Sequence, residues 1–314
     1  MRHFLSLADV RAEDLVGLVE RSLKIARGVG PRVKPLEGKV VGVYFRRSST
    51  RTRTAFTVGA LRHGAQVICY GPNDLQLVTG ETVSDTGRVL AGYLDALVIR
   101  TNDTIEEMRG LADQREMAVV NAMSDDEHPT QAVADLVTIR EALGRLEDVH
   151  VLYLGEGNNS AAALALAVAR IPGMRLTVVT PEGYGLPDDV LARARRLADG
   201  SGAGVEQHHR VDQLPGNVDV VYTTRWQTMG VPKSDPDWRE KFAPFGVTRA
   251  LMARVSKPER AGRPGTVFMH DLPAVRGAEV TDEVLDGPQS LAFRQARHKM
   301  TSAMAVLEWC LAGA

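Results

Sequence analysis

Short runs of β-branched and apolar residues recur along the whole chain, and each hands over to a helical stretch. VVGVYF (40–45), QVICY (66–70), DALVIR (95–100) and AVVNA (118–122) form a first series, with VHVLYLG (149–155), RLTVVT (175–180), DVVYTT (219–224) and TVFMH (266–270) as a second. Strands that alternate with helices and read as nearly continuous apolar runs belong to parallel sheets covered on both faces. Helices are expected at 12–27, 51–63, 83–94, before 118, from Pro129 to Leu143, from Asn159, over 188–199 and from Ser290 to Leu311. In the first, Leu15, Leu18, Val19, Leu23 and Ala26 share one face. Pro129 suits a first helical turn, where its missing N–H would have no partner. The stretch 230–247, rich in Pro, Gly and charge, reads as a long loop. A length of 314 residues exceeds one typical domain. The expectation is two doubly wound parallel-sheet α/β domains, 1–143 together with a returning helix 290–314, and 144–289, hinged near 128–146.

Charge excludes some classes of function. Lys and Arg total 38 against 39 for Asp and Glu, so no global field draws the chain to nucleic acid or to an anionic membrane. The longest apolar stretch, Ala161 to Ala169, covers about half of a bilayer span. Asp9, Glu13 and Asp14 interrupt any signal-peptide core, and the expected location is the cytoplasm. Two cysteines, Cys69 and Cys310, are too few for a disulfide framework and read as buried free thiols. His208-His209 has no third ligand nearby in sequence, and no metal is expected.

Three places carry chemistry. Ser48-Ser49-Thr50-Arg51-Thr52-Arg53-Thr54 follows the first strand and opens a helix. Helix N-terminal amides, hydroxyl donors and guanidinium groups together suit a phosphate. The same residues also make ordinary N-caps, so the segment alone leaves both readings open. His128-Pro129-Thr130-Gln131 also follows a strand and opens a helix, where a histidine can donate to an oxygen that gains negative charge. Arg100 closes the strand 95–100.

STRTRT at 49–54, Arg100-Thr101, HPTQ at 128–131 and HDLPAVRG at 270–277 resemble, in that order, the aspartate and ornithine carbamoyltransferases. The resemblance runs from HFLSL near the start to FRQARHKM near the end. It implies a carbamoyl-phosphate domain, an amino-acid domain, and a homotrimer with sites shared between subunits. Ser49, Thr50, Arg51 and Thr52 would hold the phosphate of carbamoyl phosphate. Arg100 would bridge phosphate and carbonyl oxygen, with His128 and Thr52 on that oxygen. Gln131 and the backbone of Leu272 would bind the carbamoyl NH2, and Gln76 would reach a neighbouring subunit's site. The catalytic set is then Arg51, Thr52, Arg100 and His128, with no metal or cofactor in the reaction.

The acceptor side departs from the pattern. Ornithine enzymes carry Asp–x–Trp–x–Ser–Met–Gly after a strand, and this chain reads Thr224-Arg225-Trp226-Gln227-Thr228-Met229-Gly230. The acid that helps hold the ornithine amines is thus replaced by Thr224. Arg225 and Gln227 look like the carboxylate-gripping Arg–x–Gln of the aspartate enzymes, but the lysine of their loop is missing at Val78-Thr79. The cysteine of the ornithine family's HCLP is Asp271 here, and Asn159 matches the residue on the acceptor's carboxylate. The next His-Ser of that family is Ala162-Ala163, and the arginine of its ENRM is Lys299, with Arg294 and Arg297 as substitutes. An acid lost at 224 and one gained at 271 predict a diamino acid shorter than ornithine, such as 2,3-diaminopropionate; the alternative is ornithine itself. Acceptor-binding candidates are Asn159, Thr224, Arg225, Gln227, Thr228, Met229 and Asp271. Two rivals remain. LYLGEGNNS could open a dinucleotide fold, but Ser160 replaces the third glycine and the acid expected about twenty residues on is absent. A non-catalytic binding protein is the other.

Overall fold

A computed structural model describes residues 2–29, 34–227, 232–259 and 265–311. The chain forms two compact units, one of residues 1–137 with 297–314 and one of residues 138–296. Each is built on a wholly parallel sheet.

The first unit begins with helix α1 (Ala12–Ala26), then β1 (Val40–Phe45), α2 (Arg51–Arg62), β2 (Gln66–Tyr70), α3 (Val83–Ala91), β3 (Ala96–Arg100), α4 (Ile105–Leu111) and β4 (Ala118–Met123). The sheet order is β2-β1-β3-β4. Strands β3 and β4 are buried along their whole length, as strands covered on both faces must be. Tyr44, Leu97, Ile99, Met108, Leu111 and Val119 form one core cluster. Beyond β4 the N-terminal segment docks on the sheet edge, with Phe4 N–H donating to Val119 at 2.8 Å and Asn121 N–H to Phe4 at 2.8 Å. That contact satisfies backbone groups an edge would otherwise expose. On the other edge, β2 is mostly exposed, and Cys69 is exposed with it, while Cys310 is buried. The expectation of two buried thiols therefore fails at Cys69, because an edge strand is covered incompletely. In α1 the buried face includes Ser22, whose hydroxyl donates to the Leu18 carbonyl at 2.7 Å, whereas Ala26 at the helix end is exposed.

Helix α5 (Pro129–Leu143) leads on to β5 (His150–Leu154), α6 (Asn159–Val168), β6 (Arg175–Val179), α7 (Asp188–Ala198), β7 (Gly204–His208), β8 (Val220–Thr223), α8 (Trp238–Phe242), α9 (Arg249–Val255), β9 (Val267–His270), α10 (Asp282–Leu285) and α11 (Ala292–Leu311). The second sheet has the order β7-β6-β5-β8-β9. Its core gathers Leu152, Leu154, Val221, Trp226, Phe242 and Phe268. The stretch read as one long loop holds α8 and a 3-10 turn at Ala243–Phe245, because Trp238, Phe242 and Phe245 pack against this core and fold the chain around them.

In a doubly wound sheet, ligands bind outside the carboxyl ends of the strands, where the strand order reverses. The order in which strands are added reverses between β1 and β3 in the first unit and between β5 and β8 in the second. These two points place the residues that matter.

Candidate functional site

In the first unit, Ser49 to Thr52 follow β1 and Arg100 ends the neighbouring β3. An Arg100 guanidinium N–H donates to Ser49 Oγ at 3.2 Å, so the two expected phosphate ligands meet. Arg100 is 7% exposed and Thr52 3%. Thr50 is the N-cap of α2 but makes no side-chain cap bond. Ser49 Oγ accepts the Arg53 N–H only at 3.4 Å. The plain-capping reading of this segment thus accounts for little of its hydroxyl content. Arg51, the first residue of α2, is half-buried.

His128 precedes α5 and is buried. Burial first, then the positive charges of Lys299 and Arg100, push its pKa well below the ordinary 6.5, so the imidazole stays neutral. A buried acid fixes the turn before it: Glu127 accepts from the Ser6 hydroxyl at 2.6 Å and from Leu7 N–H at 2.8 Å. Gln131 Nε2 donates to Asp135 Oδ1 at 2.7 Å, and Lys299 Nζ donates to Gln131 Oε1. The ammonium on one side and the carboxylate on the other fix which end of the amide carries oxygen. Lys299, expected on the phosphate, thus holds Gln131. Arg294 is exposed and lies 3.6 Å from Glu141, and Arg297 is exposed. Gln76 is exposed in a 3-10 turn, Gln76–Thr79, and its Oε1 accepts from the Thr79 hydroxyl at 2.6 Å. Glu127, Asp135 and Ser6 were not singled out in the sequence; an acid one turn after HPTQ was the only visible cue.

In the second unit, the turn after β5 carries Gly155 to Asn158. A side chain at Gly155 would meet Trp226 at 2.9 Å, and one at Gly157 would meet the backbone of Gly185 and Leu186 at 2.3 Å. These glycines admit protein, which removes the geometric ground for a dinucleotide loop. Asn158 caps α6, its Oδ1 accepting from Ser160 N–H at 3.0 Å and Ala161 N–H at 3.2 Å. Asn159 is the first residue of that helix and is half-buried.

Asp271 follows β9. Its Oδ1 accepts from the Thr224 hydroxyl at 2.8 Å and its Oδ2 from the Ser160 hydroxyl at 2.9 Å. Thr224 and Asp271, read above as an acid lost and an acid gained, are therefore direct partners, with Ser160 as a third member that sequence reading used only as a missing glycine. Arg225 is half-buried, and its Nε is buried without a hydrogen-bond partner among the described residues. Gln227 is half-buried, and Thr228 and Met229 lie outside the described residues. Leu272 holds a left-handed backbone, φ 54°, before a cis bond to Pro273. Its N–H donates to His270 Nδ1 at 2.8 Å, and His270 Nε2 lies 3.3 Å from the buried Glu279. Glu156, after β5, pairs with Lys233, whose ammonium lies 4.6 Å from the Tyr184 ring centre and 5.0 Å from that of Phe242. His208 and His209 are engaged locally, His208 Nδ1 by Arg210 N–H at 3.2 Å and His209 Nδ1 by Thr180 at 3.1 Å. Among the described residues no group of three or more His, Cys, Asp or Glu could hold a metal ion, and no helix is long and apolar enough to cross a membrane.

Two family profiles cover nearly the whole chain. Aspartate/ornithine carbamoyltransferase, carbamoyl-P binding domain, matches residues 2–141, and the Asp/Orn binding domain of the same family matches 147–310. The chain belongs to the aspartate/ornithine carbamoyltransferase family. It is similar to ornithine carbamoyltransferase of Anoxybacillus flavithermus, 38% identical over 98% of this chain and 95% of that protein. The ornithine carbamoyltransferase of Methanothermobacter thermautotrophicus is 38% identical over 99% of both. Among solved structures, the ornithine carbamoyltransferase from Pyrococcus furiosus superimposes with a TM-score of 0.91 at 37% identity, covering 100% of this chain and 98% of that one. This carbamoyltransferase therefore has the two-sheet α/β fold of its relatives.

Proposed function

We propose that this carbamoyltransferase moves the carbamoyl group of carbamoyl phosphate to the side-chain amine of ornithine, giving citrulline and phosphate. One observation carries the donor half: Arg100 bonded to Ser49 at the start of α2, in the unit that also holds the buried, neutral His128. The neutral amine attacks the carbonyl carbon, and its C–N bond forms as the carbonyl oxygen gains charge. Thr52, Arg100 and His128 donate to that oxygen, each well-aimed donor lowering the barrier by about 3 kcal/mol. The C–O bond to the phosphate's bridging oxygen then breaks, phosphate leaves with the electron pair, and it takes up the proton that the attacking nitrogen sheds. Ser49, Thr50, Arg51 and Thr52 hold it, with Arg100 shared between phosphate and carbonyl. Gln131 and the Leu272 backbone take the carbamoyl NH2, and Lys299 serves through Gln131. Gln76 completes the site of a neighbouring subunit in a homotrimer, working in the cytoplasm. Asn159, Arg225 and Gln227 face the acceptor's carboxylate, with Thr228 and Met229 beside them.

Ornithine is preferred as acceptor because the relatives named above are ornithine carbamoyltransferases. The shorter diamino acid predicted from charge remains a second reading, favoured only by the acid standing at 271 instead of 224. An acceptor panel tests both: carbamoyl phosphate is offered with ornithine, aspartate, putrescine, lysine, 2,4-diaminobutyrate and 2,3-diaminopropionate while phosphate release is followed. Ornithine should give the highest kcat/KM. A higher value for 2,3-diaminopropionate installs the second reading, and no turnover with any amine leaves a binding protein.

A further inference from the structure

Two carboxylates stand beyond the strand ends of the second sheet near its reversal point, Glu156 after β5 and Asp271 after β9. Their surroundings differ. Glu156 already has a cation of this chain, Lys233, which is itself buried among Tyr184, Trp238 and Phe242. Asp271 has hydroxyls instead, one on each oxygen, from Thr224 at the end of β8 and Ser160 in the first turn of α6. His270 Nδ1 lies 3.6 Å from Oδ1, but it accepts the Leu272 N–H and so brings no proton. Among the described residues no lysine or arginine pairs with Asp271, although its side chain is only 12% exposed. A carboxylate mostly withdrawn from water and supported by neutral donors alone is under-compensated, and a cation arriving from outside would complete it. The two hydroxyls also fix the carboxylate's plane, so the direction of approach is set in advance. Arg225, next to Thr224, supplies the opposite pole, with a buried Nε that no described residue engages. An amino acid with a cationic side chain carries that pair of charges.

Resting on the carbamoyl-transfer reading above, we propose that Asp271, held by Thr224 and Ser160, is the residue that recognises the side-chain ammonium of the acceptor. Thr224 and Ser160 are then positioning residues that act through the carboxylate. Side-chain rather than α-ammonium is assigned because Asp271 adjoins Leu272, the backbone that the proposed mechanism sets against the carbamoyl NH2, and the reacting amine must come to that group.

Calorimetric titration with ornithine and with 2-aminopentanoate, which is ornithine without its side-chain amine, reads the claim without turnover. Inorganic phosphate is present in excess, and its own affinity is measured separately. Asp271→Asn keeps shape and should weaken ornithine at least 100-fold, while 2-aminopentanoate and phosphate stay within threefold. Thr224→Val, which removes one donor, should weaken ornithine about tenfold and spare 2-aminopentanoate. Ornithine affinity within fivefold of the parent in Asp271→Asn overturns the assignment. Equal loss of both amino acids also overturns it, since Asp271 would then serve the α-ammonium or the fold. Turnover of the parent decides the underlying reading separately: a parent that binds ornithine through Asp271 yet carbamoylates another diamino acid faster refutes ornithine as the acceptor and leaves this proposal standing.

Discussion

Replacing Arg100 by Met sets stability against activity in a way that only a ligand-facing charge can. Arg100 is 7% exposed, ends β3, and donates to Ser49 at 3.2 Å. Taking the guanidinium out of the interior removes the desolvation penalty of one buried ion, several kcal/mol. Against that stands the loss of a charged partner for Ser49, about 1.5–3 kcal/mol. The two nearly cancel, so the thermal midpoint should stay within about 4 °C of the parent. Catalysis has no such offset. A phosphate dianion that loses its buried cationic partner forfeits about 3–5 kcal/mol, which is about 10²- to 10⁴-fold in kcat/KM. Both quantities can be read on one preparation, by phosphate release with ornithine and by a thermal melt followed by circular dichroism. A fall in kcat/KM of less than tenfold would show that Arg100 does not face the phosphate. A midpoint lowered by more than about 10 °C would make it a structural residue whose loss of activity says nothing of the site.

Lys299→Met removes one of the two cations beside His128, so the histidine's pKa should rise towards 6.5 while burial still holds it below. The acid limb of the kcat/KM profile should move to higher pH, and an unmoved limb would sever Lys299 from His128. His128 also affects stability: below its ordinary pKa of 6.5 the unfolded chain binds a proton that the folded site refuses, so acidification in that window destabilises the parent. His128→Asn should flatten that slope in urea titrations between pH 6.5 and the depressed value. Glu308 works on the acid side. Burial raises its carboxyl, but Arg21 and the nearby His63 outweigh this and bring it to about 2. Its contribution is present above the ordinary 4.5 and is lost as pH falls from there to about 2, and Glu308→Gln should remove that loss from the acid-denaturation curve. Asn158→Ala deletes the α6 cap, which should cost about 1 kcal/mol of stability and raise the acceptor KM through Ser160, without changing the affinity for phosphate. An unchanged acceptor KM would show that the cap does not help to place Asp271.

Much of the fold is legible because its strands are covered on both faces and so declare themselves as apolar runs. VVGVYF, DALVIR and RLTVVT need no partner to be recognised. Strand β7, Gly204–His208, escaped notice because GVEQH lies on a sheet edge, where only Val205 is buried and the pattern turns polar. Helices α8, α9 and α10 are too short to show a period of 3.6 residues. The segments proposed for the donor stand out in sequence for a local reason: Ser49 to Thr52 and His128 to Gln131 are contiguous. What fixes those segments was not. Ser6 and Glu127 are 121 positions apart, Gln131 and Lys299 are 168 apart, and only the folded sheet brings them together.

On the proposed acceptor side, positions read one at a time miss the contact between them. Thr224 looked like an acid lost and Asp271 like an acid gained, two separate changes that pointed to a different substrate. In the fold they are one unit, 47 positions apart in sequence and 2.8 Å apart in space. The carboxylate and the hydroxyl that supports it stand at the ends of neighbouring strands of one sheet. A negative charge at Asp271 is compatible with ornithine, which the charge argument from sequence had set aside. Lys299 follows the same logic on the donor side. A lysine cannot make the forked contact of an arginine, but as a point charge it reaches Gln131 and still acts on His128. Its charge acts on His128, while the directed phosphate contacts are those proposed above for Arg51 and Arg100.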